Sequence, residues 1–275
     1  MFPTRLEIIP SAGIVEKVTA VVPPGTTLTI TCLPHHGIER TMRAAVQLSV
    51  LGYRVIPHLA ARSLHSRAEL TGIVRDCNGA GIGEVFVIGG DRKLPAGPYE
   101  SALPLLEDIA QYSGGVMRAG IAGYPEGHPS VGALDLVDAL LAKQHLATHV
   151  VTQMCFSAPK ILDYAALLRR EGVTLPVWAG VAGSVPRTKL VSLATQIGVG
   201  SSLKFLSRKG PLARKLLSGD RYSPLGLISE LAEHPDRVAG IHYYSFNDLD
   251  GVTEGATLRS NPATTELASI PGAAK

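Results

Sequence analysis

Eight short β-rich runs recur along the chain with helix-like segments between them, and this alternation restricts the fold more than any other feature. The runs are RLEIIP (5–10), LTITC (28–32), RVIPHLA (54–60), EVFVIGG (84–90), VMRAGIAGY (116–124), HVVTQMCF (149–156), PVWAGVAG (176–183) and GIHYYSF (240–246). Their Val, Ile, Leu and Ala content suits strands buried on both faces of a parallel sheet. Aromatic residues are only 5% of the 275, so aliphatic side chains must fill the core.

The segments between the runs carry helix signals. IERTMRAAVQLSVLGY (38–53) places Met42, Val46 and Val50 on one face, with Gly52 as the stop. SRAELTGIVRDCNGAG (66–81) opens on Ser66 and Glu69 at capping-box spacing. SAPKILDYAALLRREG (157–172) starts with Ser157 and Pro159 and ends on Arg169, Arg170 and Gly172, which satisfies both the capping rules and the helix dipole. The order predicts an α/β fold, a (β/α)8 TIM barrel forming a single domain over residues 1–259. The competing arrangement, an open doubly wound sheet, normally carries a glycine fingerprint after strand one, and here strand one leads to PSAGIV. Residues 184–239 are long for one crossover and are expected to hold an extended segment of two or three helices. Residues 260–275, small and polar, are expected to form a flexible tail.

Composition narrows the function classes. A formal charge of +3 is small for this length, so no nucleic-acid partner is expected. The basic segment KFLSRKGPLARKLLSGDR (204–221) reads either as a solvated helical face or as an anion-attracting rim, and it lacks the interleaved aromatics of a single-strand binder. No apolar run approaches the roughly 20 residues that span a bilayer, and MFPTRLEIIPSAG lacks the apolar stretch of a signal peptide. Cys32, Cys77 and Cys155 are far apart and odd in number. These features predict a cytoplasmic protein with no membrane partner and no disulfide framework. Adjacent His35 and His36 do not converge on one ion, so no metal is expected. There is no GxSxG and no base assigned to Cys155, which leaves nucleophilic catalysis unsupported.

In a barrel of this type catalytic groups sit at the C-terminal ends of the strands. Those positions hold Glu7, Thr31, His58, Gly90 and Asp91, Tyr124 through His128, Gln153 and Tyr244. Each also has a plain reading. Glu7 could face solvent, His58 could bond a nearby carbonyl, and Asp91 could cap its loop. Gln153 is harder to dismiss, because an amide in a buried strand needs partners.

Taken together, these residues resemble the methylenetetrahydrofolate reductase family. The pieces occur in family order: Glu7 followed by Pro10, PHLA (57–60), GGD (89–91), YPEGHP (124–129), TQ (152–153) and HYYSFN (242–247). The resemblance implies a (β/α)8 barrel, often assembled as a homo-oligomer. It also implies hydride transfer from NAD(P)H, usually through FAD, to 5,10-methylenetetrahydrofolate, giving 5-methyltetrahydrofolate. By position, Glu7 matches the general acid that opens the methylene bridge. Burial among Leu6, Ile8 and Ile9 would raise its pKa as that role requires. Asp91 matches the carboxylate that holds the pterin, Gln153 the amide that contacts folate or nicotinamide, and Tyr244 the tyrosine at the site mouth. Thr31, His58, Gly90, Tyr124 and His128 match positions that line the cofactor.

Three departures accompany the match. Gly89 stands where flavin-binding members carry Arg, Leu141 and Ala142 replace a basic pair, and Asp248 replaces an Arg after HYYSFN. Lost charged hydrogen bonds cost roughly 1.5–3 kcal/mol each. The expectation is therefore a flavin-poor or flavin-independent member in which NAD(P)H reduces the folate directly, unless Lys143, Arg92 and Lys93 compensate. Two other classes share the resemblance. One is a folate-binding barrel that transfers a methyl group without redox chemistry, and the other a catalytically degenerate folate- or nucleotide-binding barrel.

Overall fold

The computed structural model describes residues 2–186, 190 and 221–249. Eight parallel strands close into a barrel in chain order. They are β1 (Thr4–Ile8), β2 (Thr27–Ile30), β3 (Arg54–Ala60), β4 (Glu84–Ile88), β5 (Arg118–Gly123), β6 (His149–Thr152), β7 (Val177–Ala182) and β8 (Gly240–Tyr244). The ring closes where Glu7 of β1 lies opposite Tyr244 of β8. Helices α1 (Ile14–Val21), α2 (Gly37–Val50), α3 (Arg67–Gly79), α4 (Ala102–Tyr112), α5 (Ala133–Lys143), α6 (Ala158–Arg170) and α7 (Leu225–Ala232) connect the strands. The predicted (β/α)8 barrel is the fold that forms.

Strands end earlier than their apolar runs because the last residues leave the ladder to build the loops above. EVFVIGG stops at Ile88, and HVVTQMCF stops at Thr152. Start signals act as read: Ser66 Oγ accepts the Glu69 N–H at 3.1 Å, and Ser157 Oγ accepts from Lys160. The α2 stripe differs from expectation. Met42 is buried and Val46 half-buried, but Val50 is 77% exposed. The buried line runs through Ile38, Thr41, Met42, Ala45 and Leu48 instead.

Side chains alternate along each strand, so every strand serves two cores. Leu6, Ile8, Leu28, Ile30, Val85, Val87, Ile121 and Ile241 face the helices in one continuous apolar layer. The intervening residues fill the barrel interior. Ile56, Phe86 and Val151 form a small apolar plug there. Nearer the strand N-termini lies an ionic floor that the sequence reading did not foresee. Arg5 Nη2 sits 2.9 Å from Glu84 Oε1, Arg118 Nη2 sits 2.8 Å from Glu84 Oε2, and the Arg5 guanidinium stacks 4.0 Å above the Trp178 ring. Arg5 Nη1 also donates to His149 Nε2 at 2.6 Å. Burial, then the Arg5 and Arg118 charges, push the His149 pKa down to about 2, so the ring stays neutral and can accept.

Of the stretch 184–239, α7 is the helix bounded within the described residues; the remainder of its expected helices, the basic segment 204–220 and the tail 260–275 lie outside them.

Candidate active site

Above the floor, β1, β3 and β8 bring three titratable side chains together. Glu7 Oε2 lies 3.1 Å from His242 Nε2 and 3.8 Å from His58 Nε2. Burial raises the Glu7 carboxyl to a pKa of about 7, while His58 pulls slightly the other way. Both imidazoles shift in the opposite sense for the same reason. His58 falls to about 4 and His242 to about 3, with burial the main cause in each. A buried acid that holds its proton up to about pH 7 thus faces two neutral rings. Only 12% of the Glu7 side chain is exposed, which leaves it reachable from the strand C-terminal end.

The backbone around Glu7 is pinned from β8. The Glu7 carbonyl accepts from Ser245 Oγ. Asn247 Oδ1 accepts the Ile9 N–H at 2.8 Å, and its Nδ2 donates to the Ile9 carbonyl at 2.9 Å. Phe246 and Asn247 adopt left-handed conformations, φ 50° and 60°, to make this turn. Such strain in non-glycine residues is held only where surrounding bonds over-determine it.

Tyr244 stands beside His242, ring centroids 4.9 Å apart, and its hydroxyl donates to the Thr152 carbonyl at 3.0 Å. Burial and the nearby Glu7 hold its pKa well above the usual phenol value, so it keeps its proton. Gly180 makes room for it. A Cβ there would run into the Thr152 carbonyl oxygen and come within 2.9 Å of Tyr244 Cε2.

The remaining predicted residues ring the mouth. Thr31 is buried just past β2, its carbonyl accepting from Thr41 Oγ1 at 2.8 Å. Gly90 has φ +87°, and a Cβ there would stand 3.1 Å from Ala60 Cβ. Asp91 follows on an exposed loop, close enough to Tyr124 that its charge helps raise the phenol pKa, after burial. The Tyr124 and His128 rings meet edge-on at 5.0 Å. Their loop is anchored to α6, where Tyr164 Oη accepts the Tyr124 N–H at 3.1 Å and Lys160 pairs with Glu126. Gln153 Oε1 accepts the Met154 N–H at 2.9 Å, so its amide nitrogen is the end available to a ligand.

The flavin-associated positions are occupied differently. A Cβ built at Gly89 meets nothing within 4 Å, so the position has room for a side chain and carries none. Leu141 packs on the helix-facing core and Ala142 is exposed. Burial lowers the Lys143 ammonium pKa. Asp248 is paired with Arg221 at 2.7 Å.

Comparison with known proteins decides the family. The model of the family described as methylenetetrahydrofolate reductase matches residues 14–198. The chain belongs to the methylenetetrahydrofolate reductase family. Methylenetetrahydrofolate reductase 2 of Saccharomyces cerevisiae is 24% identical over 148 residues, which cover 50% of this chain and 24% of the yeast protein. The chain therefore spans about a quarter of the length of this curated relative. Two solved structures from Burkholderia cenocepacia share the fold alone. One, provisionally assigned as a phosphonomutase, has a TM-score of 0.52 and 13% identity, covering 92% of this chain and 90% of its own. The other, provisionally assigned as a lyase/mutase, has a TM-score of 0.52 and 12% identity, covering 92% and 80%. Glu7, His242 and Tyr244 lie outside the span matched by the family model, and barrel closure brings them together.

Sequence reasoning quoted His242 within HYYSFN and gave it no role. The available signal was period: His242 is two residues from Tyr244 and so shares its face of β8. Asn247 was quoted in the same motif without a role, and Gly180 carried no readable signal, because its importance lies in contacts across the barrel.

Proposed function

We propose that this family member interconverts 5,10-methylenetetrahydrofolate and 5-methyltetrahydrofolate with NAD(P)H as the redox partner. The observation that carries the reading is the Glu7 carboxyl held 3.1 Å from His242 near the strand C-terminal end, where burial lifts its pKa to about 7. In the substrate the methylene carbon bridges two nitrogens, N5 and N10. Proton transfer from Glu7 Oε2 to N10 lets the C–N10 bond break, its electron pair remaining on N10. The N5 iminium so formed accepts a hydride, which the nicotinamide supplies when bound. The carboxylate left behind accepts a hydrogen bond from His242 Nε2, and exclusion of bulk water keeps its affinity for a new proton high. Asp91 receives the pterin amino and ring N–H groups, the Gln153 amide nitrogen reaches the ligand, and Tyr244 closes the mouth. Thr31, His58, Gly90, Tyr124 and His128 line the space between them.

The residues present do not fit a flavin. The basic side chains that flavin-binding members carry are replaced by Gly89, Leu141 and Ala142. Three lost charged bonds would weaken FAD binding by up to about 10⁶-fold. No step is assigned to it. Purified protein is expected to be colourless and to oxidise NAD(P)H only when methylenetetrahydrofolate is added. Stoichiometric FAD released on denaturation would overturn the flavin-independent reading. Absence of folate-dependent oxidation with either nucleotide would overturn the reductase reading.

A further inference from the structure

The loop between β4 and α4 carries Asp91 and is largely exposed from Asp91 to Leu94, yet one residue from the neighbouring spoke binds it at five points. Arg62 lies in the 3-10 turn that follows β3. Its Nε donates to the Glu100 carbonyl at 2.8 Å, and its Nη1 donates to the Arg92 and Lys93 carbonyls at 3.0 and 3.4 Å. Its backbone N–H donates to the Gly89 carbonyl, and its own carbonyl accepts the Ala96 N–H, both at 3.0 Å. Glycines bring the strands of chain close enough for this. Gly90 lies against Ala60, and a Cβ at Gly97 would stand 2.6 Å from the Leu64 carbonyl oxygen.

Asp91 therefore sits between two backbone carbonyls that Arg62 holds, that of Gly89 through its backbone N–H and that of Arg92 through its guanidinium. A guanidinium suits this role because its planar fork serves several acceptors at once, whereas an ammonium is a single point of charge. A charged donor also strengthens each bond it makes to a carbonyl. We propose that Arg62 is a positioning residue for folate recognition: it holds the Asp91 loop in the conformation that presents the carboxylate to the pterin. This rests on the reading of Asp91 as the pterin anchor.

The test compares Arg62→Ala, Arg62→Lys, Asp91→Asn and the Arg62→Ala/Asp91→Asn double variant, using methylenetetrahydrofolate and NAD(P)H as probes. Arg62→Ala is expected to raise the folate KM about tenfold with kcat and the NAD(P)H KM within about twofold of the parent. Arg62→Lys is expected to recover only part of that loss. Because Arg62 acts on folate only through Asp91, the double variant should lose no more folate affinity than Asp91→Asn alone. Hydrogen exchange of amides 89–97 should quicken in Arg62→Ala while the barrel strands keep their protection, which separates loop release from unfolding. If Asp91→Asn weakens folate binding and Arg62→Ala leaves it unchanged, the positioning role is rejected and the Asp91 assignment stands. If Asp91→Asn itself binds folate normally, the Asp91 assignment fails and the role of Arg62 fails with it.

Discussion

At the residue scale the site is an exercise in burying one acid beside two bases that are too desolvated to take its proton. The Glu7 pKa of about 7 lies above the carboxylate value in an unfolded chain, so the sign of its effect is fixed. Its stabilising contribution is complete below the unfolded value and is lost as pH rises through about 7. Glu7→Gln removes that loss. The variant should gain on the order of 3 kcal/mol of stability over the parent at pH 8 and little at pH 5, measured by chemical denaturation. A second prediction concerns Gly180. Its alanine variant must displace the Tyr244 ring or the β6 carbonyl, so it should cost about 1–3 kcal/mol and perturb Tyr244 fluorescence and activity together. Glu7 and His58 were legible because strand-end polar residues in an apolar run demand a reason. Gly180 was not, since a glycine in a strand looks the same whether it is tolerated or required.

At the scale of elements, the turn after β8 holds the chain just past β1 in place. Asn247 satisfies both backbone groups of Ile9, two residues beyond the acid, and does so from a left-handed conformation that few side chains adopt. Asn247→Ala should cost about 1–3 kcal/mol by leaving the Ile9 N–H unpaired, while the Ile9 carbonyl keeps the Ser11 N–H, and should lower kcat more than it raises either KM. A calorimetric scan with steady-state rates on one preparation checks both. Helix starts were legible from local chemistry, as Ser66 and Ser157 show. The end of the α2 stripe was not, because Val50 has the spacing of the buried stripe, yet it is exposed while Leu48 in the same turn is buried. Strand ends were over-extended for a related reason. Apolar residues after β4 and β6 serve the loops of the site, and periodicity does not separate the two uses.

Across the whole molecule, the barrel interior is layered from an ionic floor, through an apolar plug, to the acid and its histidines. The floor replaces the branched aliphatic packing common in such barrels with a network in which Glu84 pairs with both Arg5 and Arg118. Three buried histidines carry depressed pKa values of about 4, 3 and 2 at His58, His242 and His149. Such groups contribute stability that is complete above the unfolded histidine value and is lost as pH falls toward the folded ones. The protein should therefore lose stability steadily below pH about 6, and His149→Gln should move the acid-unfolding midpoint to lower pH. The alternation of strands and helices made the closed barrel legible. The floor was not, because Arg5, Glu84, Arg118 and His149 come from four strands and only barrel closure makes them neighbours.

The central claim is that Glu7 delivers the proton that opens the folate bridge. The direct measurement is methylenetetrahydrofolate-dependent NAD(P)H oxidation by the parent and Glu7→Gln from pH 5 to pH 9. The parent should lose activity along an alkaline limb near pH 7, and Glu7→Gln should fall by about 10²-fold or more in kcat, with folate binding largely kept. A Glu7→Gln enzyme that turns over at the parent rate would contradict the account.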